Sequence, residues 1–167
     1  MNERGVTLME LIIVIAIMMI LATLSTIAFK QYTEKANVES MVRTLYADLM
    51  DVRSQSIMQR DTRQVIVSPT GLTVFNGAKA MIYKSKGFNF PVQFSSVYGI
   101  VDFDTNGMAS PDLPAYTTLP FAICVYPAGT PLGGTGAQVD AVVISQTLIQ
   151  MGKVTGGGCS SDKITIQ

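Results

Sequence analysis

The sequence contains no histidine, and its two cysteines are too few for a cysteine-ligated zinc site. Histidine is the commonest acid–base group near neutral pH and the commonest metal ligand, so the simplest catalytic and metal-binding arrangements are missing. No nucleophile elbow, phosphate-binding loop or metal-binding motif occurs elsewhere. The sequence therefore predicts neither an enzyme nor a cofactor.

Charged residues are also scarce. They make up 14% of the 167 residues, and twelve Lys and Arg balance twelve Asp and Glu. After Lys86 the only basic residues are Lys153 and Lys163. The basic surface that nucleic-acid binding requires is therefore missing, and the sequence does not predict a nucleic-acid partner. The mean hydropathy of +0.34 is high for a soluble domain, which indicates one strongly apolar segment.

The apolar segment lies near the N-terminus, where no residue from Leu11 to Phe29 is charged. As a helix, residues 6–29 would be about 36 Å long, which matches a bilayer core of about 30 Å. Many of these residues are β-branched and form helices only moderately well in water. In lipid, however, a helix satisfies its own backbone hydrogen bonds, so the segment is predicted to be a transmembrane helix.

Glu10 is an exception at the start of this segment. A carboxylate in a membrane segment costs about 2–3 kcal/mol or more and usually has a partner. Cleavage after Gly5 would create an α-amino cation at Val6, about one helical turn from Glu10 and also available to the Glu10 of a neighbouring chain. An ordinary secretory signal and a plain single-pass anchor are the alternatives, and neither explains Glu10.

From Lys30 to Arg60 the sequence lacks both proline and glycine. Apolar residues recur there at intervals of three and four, which predicts that the helix continues and has one apolar stripe. The stripe consists of Val38, Met41, Val42, Leu45, Leu49 and Val52. A helix over residues 6–60 would be about 80 Å long, too long for one small domain to cover, so its first half must lie in lipid or against other copies.

After Asp61 the pattern changes to short apolar runs separated by turn residues, and Pro69-Thr70-Gly71 predicts a hairpin. The predicted strands are Gln64–Ser68, Leu72–Phe75, Ala80–Lys84, Val92–Phe94, Ile100–Phe103, Phe121–Tyr126, Ala141–Ser145, Thr147–Met151 and Lys163–Ile166. The predicted fold class is therefore α+β: a long N-terminal helix packed on an antiparallel β-sheet formed by residues 61–167.

The residues from Arg4 to Glu10, followed by the apolar run, resemble the class III signal of type IV pilins and pseudopilins. The resemblance implies the type IV pilin fold and removal of residues 1–5 by prepilin peptidase, with cleavage between Gly5 and Val6 and N-methylation of Val6. It also implies assembly through the helix, with Glu10 and Thr7 as assembly residues. The expected location is the inner membrane, with a periplasmic globular domain, and then a pilus or pseudopilus.

A narrower similarity, to the H-type pseudopilins of type II secretion and the T-type minor pilins, involves the end of the helix and later turns. It is carried by Arg53-Ser54-Gln55-Ser56-Ile57, by Val65-Ile66-Val67 and by Phe103-Asp104-Thr105-Asn106-Gly107. It implies a structural subunit whose partners are other subunits, the peptidase, the inner-membrane assembly platform and, before assembly, lipid. The alternatives are a major pilin and a membrane-anchored module that binds a surface, a secreted substrate or DNA.

Two further sets of residues are candidate sites. Cys124 and Cys159 are expected to form a disulfide, because an exported chain reaches an oxidising compartment, and buried free thiols are the alternative. Asp102, Asp104 and Asn106 begin like a calcium-binding loop, but the twelfth position is Leu113 instead of Glu. A turn at the end of a strand explains the same three residues, and the sequence favours it.

Overall fold

The computed structural model describes residues 7–77, 82–95, 99–111 and 119–167, and it describes only the backbone of residues 24–28 and of residue 83. The chain divides into two compact units, Met1–Glu34 and Lys35–Gln167. Helix α1, Leu8–Gln59, begins in the first unit and ends in the second. The long N-terminal helix predicted from the sequence is thus confirmed.

In the second unit, α1 buries the predicted stripe. Val38, Val42, Leu45, Leu49 and Val52 are all buried, and Met41 is partly buried against them. The apolar residues at intervals of three and four therefore mark the face of the helix that packs in the core.

The helix ends at Gln59 although no glycine follows it. Arg60 adopts a left-handed backbone conformation with φ of 51°. The Asp61 N–H then donates to the Ser56 carbonyl at 3.2 Å, the six-to-one hydrogen bond that closes many helix C-termini. This turn directs the chain into the first strand.

The strands that follow are β1 (Arg63–Ser68), β2 (Gly71–Phe75), β3 (Ile82–Gly87), β4 (Val92–Phe94), β5 (Gly99–Phe103), β6 (Ala109–Pro111), β7 (Phe121–Val125), β8 (Ala141–Ile144), β9 (Ile149–Val154) and β10 (Ile164–Ile166). They form two antiparallel sheets, where the sequence predicted one. Among the described residues, the first sheet has the order β3-β2-β1-β5-β6 and the second has the order β10-β9-β8-β7-β4. A 3-10 turn, Ser161–Lys163, precedes β10.

Most strands lie within a few residues of their predicted positions, and the hairpin between β1 and β2 closes with Ser68 opposite Gly71. The strand predicted from Thr147 begins only at Ile149, because the Ser145 N–H donates to the Leu148 carbonyl at 2.8 Å and forms a turn there. Residues 80 and 81 of another predicted strand lie outside the described residues. Strand β6 was missed; it is short, contains Pro111, and lies at a sheet edge, where a missing N–H is tolerated.

The second sheet has apolar residues on both of its faces. All five residues of β7 are buried. Phe121, Ile123 and Val125 face the main core with the helix stripe, whereas Ala122 and Cys124 belong to a smaller cluster on the other face. Continuous burial along β7 explains why its sequence is an unbroken apolar run instead of an alternating one.

Candidate assembly site

Gly5 and Val6, between which cleavage is predicted, lie outside the described residues. Cleavage and N-methylation of Val6 therefore stay predictions. The described chain starts at Thr7, immediately before α1.

Thr7 caps the start of the helix. Its side-chain Oγ1 accepts a hydrogen bond from the Glu10 N–H at 3.2 Å, and its carbonyl accepts one from the Leu11 N–H at 3.2 Å. The order Thr-Leu-Met-Glu has the spacing of a capping box, in which a threonine at the cap precedes an acidic residue by three positions. The structure thus gives Thr7, predicted as an assembly residue, a local role at the helix terminus.

Glu10 lies in the first turn of α1 and is exposed. A carboxylate is favoured there, because the unpaired N–H groups at a helix N-terminus carry partial positive charge. An exposed acid at the start of an apolar helix can also meet a cation on another chain. The structure therefore leaves Glu10 accessible for the partner that the sequence predicts.

The apolar residues that follow Glu10 are exposed on every side of the helix. All of the side chains from Thr7 to Thr23 are exposed, from 78% for Leu8 to 43% for Ile15 among the large apolar ones. A helix that is apolar around its whole circumference normally lies inside a larger assembly or in a membrane. Residues 11–22 have this pattern.

Among the residues that the structure describes, no helix is both long enough and apolar enough to cross a membrane. The transmembrane span predicted over residues 6–29 is not confirmed and stays a prediction. Part of that range, Val6 and the side chains of residues 24–28, is not described.

The disulfide predicted between Cys124 and Cys159 is present. The two Cα atoms are 5.8 Å apart, and the residues are separated by 35 positions. Cys124 lies in β7, and Cys159 precedes β10, so the bond attaches the C-terminal segment to the outer face of the second sheet. Both residues are buried in the smaller apolar cluster.

Of the residues considered for calcium, Asp102 lies in β5, and Asp104 and Asn106 lie in the connection between β5 and β6. The Asp104 Oδ1 accepts hydrogen bonds from the backbone N–H groups of Asn106 and Met108, both at 2.8 Å. The Asp102 Oδ1 accepts one from the Gln64 Nε2 at 2.9 Å. Within the described ranges, no group of three or more His, Cys, Asp or Glu side chains is placed to hold a metal ion. The turn interpretation thus accounts for these residues.

The structure also shows an ion-pair cluster that the sequence did not reveal. The carboxylate of Asp48, on α1, lies 2.6 Å from the Lys84 Nζ and 2.8 Å from the Lys86 Nζ, both on β3. Burial acts to raise the pKa of Asp48, but the hydrogen bonds and charges of the two lysines outweigh it and hold that pKa below its ordinary value. The cluster attaches the helix to the edge of the first sheet.

Comparisons with known proteins found similarity in the N-terminal segment and in the fold. Residues 1–26 match the model of the prokaryotic N-terminal methylation motif. No curated protein sequence matches the chain significantly. The crystal structure of the type IV minor pilin FimU of Pseudomonas aeruginosa strain PAO1 is similar, with a TM-score of 0.54 and 21% identity over 80% of this chain and 96% of that one. The chain is therefore type IV pilin-like, combining the N-terminal methylation motif with the type IV pilin fold.

Proposed function

We propose that the chain is a structural subunit of a type IV pilus or of a type II secretion pseudopilus, and that it assembles through the first part of α1. One observation carries the proposal: a chain with the type IV pilin fold begins with a methylation motif, and its first helix has an exposed, wholly apolar segment, residues 11–22, directly after Glu10. Such a segment is stable in water only when other apolar surfaces cover it.

The proposed sequence of events begins in the inner membrane. The precursor is held there by residues 6–29, and prepilin peptidase removes residues 1–5 and methylates Val6. The assembly platform then transfers the subunit into the filament, where the helices of neighbouring subunits replace lipid around residues 8–23. Each Å² of apolar surface kept from water contributes about 25 cal/mol. The subunit catalyses no reaction, and the work of assembly comes from an ATPase elsewhere in the machinery.

Glu10 has the second role in this proposal. In the apolar interior of a filament, its carboxylate needs a cation, and the methylated amino group of Val6 supplies one on the same or a neighbouring subunit. Because only one axial position brings the two charges together, the pair sets the register between subunits.

The fold resemblance to a minor pilin, together with the H-type and T-type motifs, favours a minor subunit or pseudopilin over a major pilin. The relative amount of the protein in sheared filaments tests this. We expect a small fraction of the total filament protein, and a dominant band would contradict the assignment.

The processing step is tested by mass spectrometry of the N-terminal peptide from cells that contain the peptidase. The mature peptide is expected to begin at Val6 and to carry one methyl group. A mature protein that retains residues 1–5 would contradict assembly as a processed subunit and would favour a membrane-anchored binding module.

The role of Glu10 is tested by Glu10→Gln, which removes the charge and keeps the size. We expect normal membrane insertion but a loss of at least about tenfold in incorporation into filaments, because an unpaired ammonium buried at the subunit contact costs more than 1.4 kcal/mol. Glu34→Gln is the matched control, since Glu34 is an acid of the same helix beyond the apolar segment. Equal incorporation of the two variants would refute the register role.

A further inference from the structure

A cavity of about 230 Å³ lies within the second unit, between α1 and the connection from β3 to β4. One side is formed by helix residues between Asn37 and Asp48, and the other by residues 86–90. The Phe88 N–H donates to the Thr70 carbonyl at 2.8 Å and holds this connection against the hairpin between β1 and β2. The cavity is therefore bounded by two fixed backbones.

Its lining has two layers. Apolar residues that pack in or against the core form the inner layer: Met41, Leu45, Phe88 and Phe90. Exposed polar residues form the rim: Asn37, Ser40, Thr44 and Asn89. An apolar base with a few polar groups around the opening is the usual construction of a small-molecule site.

The charged residues of the lining neutralise each other. Lys86 and Asp48 both line the cavity, and they are paired at 2.8 Å. The second cation near Asp48 is Lys84, at 2.6 Å. Lys84 also lies 3.8 Å from Asp51, so two cations balance two carboxylates. Because the cluster carries no net charge, neither an anion nor a cation is attracted to it, and the cavity favours an uncharged ligand.

The rim offers unused hydrogen-bonding groups. Within the described part of the chain, the side chains of Asn37 and Asn89 make no hydrogen bond or ion pair. Each amide carries two donors and one acceptor, and the two lie on opposite sides of the cavity. They are therefore free to bind a ligand that both donates and accepts.

The volume limits the size of that ligand. Sites for drug-sized molecules measure about 300–1,000 Å³, and this cavity is smaller. We propose that it binds a single uncharged sugar ring, whose C–H face lies on the Phe88 and Phe90 side chains and whose hydroxyl groups bond to the Asn37 and Asn89 amides. This inference goes beyond filament assembly, because it gives the sheet-bearing unit a ligand on its surface.

The test is saturation-transfer difference NMR with the full chain in a detergent that has no sugar headgroup. The probes are D-glucose, D-galactose and N-acetyl-D-glucosamine, each titrated to about 50 mM. We expect saturable binding of at least one sugar with a Kd on the order of 1 mM, the affinity available to a ligand of about a dozen heavy atoms. Absence of saturable binding for all three would overturn the proposal.

Substitutions of residues that line the cavity test whether the sugar binds there. Asn37→Ala and Asn89→Ala are each expected to raise Kd about threefold to tenfold through loss of a hydrogen bond. Ser40→Phe is expected to abolish binding by filling the opening from an exposed helix position. Gln146→Ala, which removes an exposed amide in the turn before β9, is the matched control and should leave Kd unchanged.

A second arm uses N-acetyl-leucinamide, which imitates an apolar side chain of a protein partner. Stronger binding of this compound than of every sugar, lost in Ser40→Phe, would show that the cavity accepts a protein side chain and would overturn the proposal. Unchanged sugar binding in Ser40→Phe would also overturn it, because the sugar would then lie elsewhere.

Discussion

Leu11 and Leu49 belong to the same helix, but their surroundings are opposite. Leu11 is 54% exposed and lies in a segment whose circumference is entirely apolar, whereas Leu49 is fully buried in a stripe that alternates with polar residues. The stripe finds its partners within the chain, in the two sheets of residues 35–167. The wholly apolar segment, residues 11–22, is exposed on every side, the pattern of a helix that is covered by a membrane or by other chains.

The comparison shows how one continuous helix can serve two purposes. In residues 35–59 the helix is part of the folded core and contributes to the stability of the subunit. In residues 8–23 the same backbone geometry presents the surface that we propose is covered by neighbouring subunits in the filament. Each of the following predictions separates these two contributions, beginning with the largest expected effect.

Removal of the disulfide tests how far the stability of residues 35–167 depends on covalent attachment of the C-terminal segment. Replacing both cysteines, Cys124→Ala with Cys159→Ala, is expected to lower the free energy of unfolding by about 4 kcal/mol, because a loop of 35 residues is no longer closed in the unfolded chain. Denaturant unfolding of the full chain measures the change. Reductant should destabilise the wild-type protein similarly and leave the variant unaffected; a loss below about 1 kcal/mol would contradict the prediction.

A pair of leucine substitutions compares the two parts of α1 directly. Leu49→Ala should cost about 3 kcal/mol, since it removes a fully buried side chain from the core. Leu11→Ala should change the unfolding free energy of the isolated subunit by less than about 0.5 kcal/mol, because Leu11 is exposed. The same denaturation experiment serves for both. Similar losses from the two variants would show that the apolar segment contributes to the fold of the single chain.

Disrupting the ion-pair cluster of Asp48, Lys84 and Lys86 is expected to lower the free energy of unfolding by a smaller amount. Asp48→Asn is expected to destabilise the protein by about 1 kcal/mol at neutral pH, because Lys84 and Lys86 both lose their ion pair with the Asp48 carboxylate. Since the pKa of Asp48 is lowered in the folded state, its contribution is present above the ordinary value of 3.8 and is lost as pH falls through the folded pKa. Unfolding free energies measured from neutral to acidic pH test this.

Asp51→Asn is the control for that experiment. Asp51 lies 3.8 Å from Lys84, and its side chain is 49% exposed, so its removal should have a smaller effect. If Asp51→Asn were as destabilising as Asp48→Asn, the cluster would not depend on the partly buried carboxylate.

Asp140 is expected to have the smallest effect on stability. Its contribution changes with pH in the opposite direction to that of Asp48. Burial raises its pKa, while its Oδ1 accepts the Val154 N–H at 2.7 Å and its Oδ2 has no partner among the described residues. Because the folded state holds this proton more tightly than the unfolded state, stability should fall as pH rises from 3.8 through the raised pKa. Asp140→Asn should flatten that part of the pH profile; an unchanged slope would contradict it.

The features that could be predicted from the sequence are mainly those determined by residues close together along the chain. The apolar stripe from Val38 to Val52, the hairpin at Pro69-Thr70 and most strands follow from local spacing and turn residues. The disulfide followed from the compartment and from the number of cysteines. In each case the physical cause of the structure acts over a few residues or through composition alone.

The features that the sequence did not predict depend on contacts between distant residues. The strands form two sheets instead of the expected single one, and β4 pairs with β7 in the second sheet although its neighbours in sequence, β3 and β5, belong to the first. Asp48 contacts lysines 36 and 38 positions away, and the two segments that form the cavity are at least as far apart in the sequence. No local pattern marks such pairs, because each residue alone resembles an ordinary surface residue.

The cap at Thr7 determines how freely a processed N-terminus can move. If the chain is cut after Gly5, a single residue, Val6, precedes the fixed start of the helix. One residue spans at most about 3.6 Å. The new amino group would therefore be held on a very short tether, and a neighbouring chain would meet a positive charge at a defined height along the helix axis instead of one dispersed over a mobile tail.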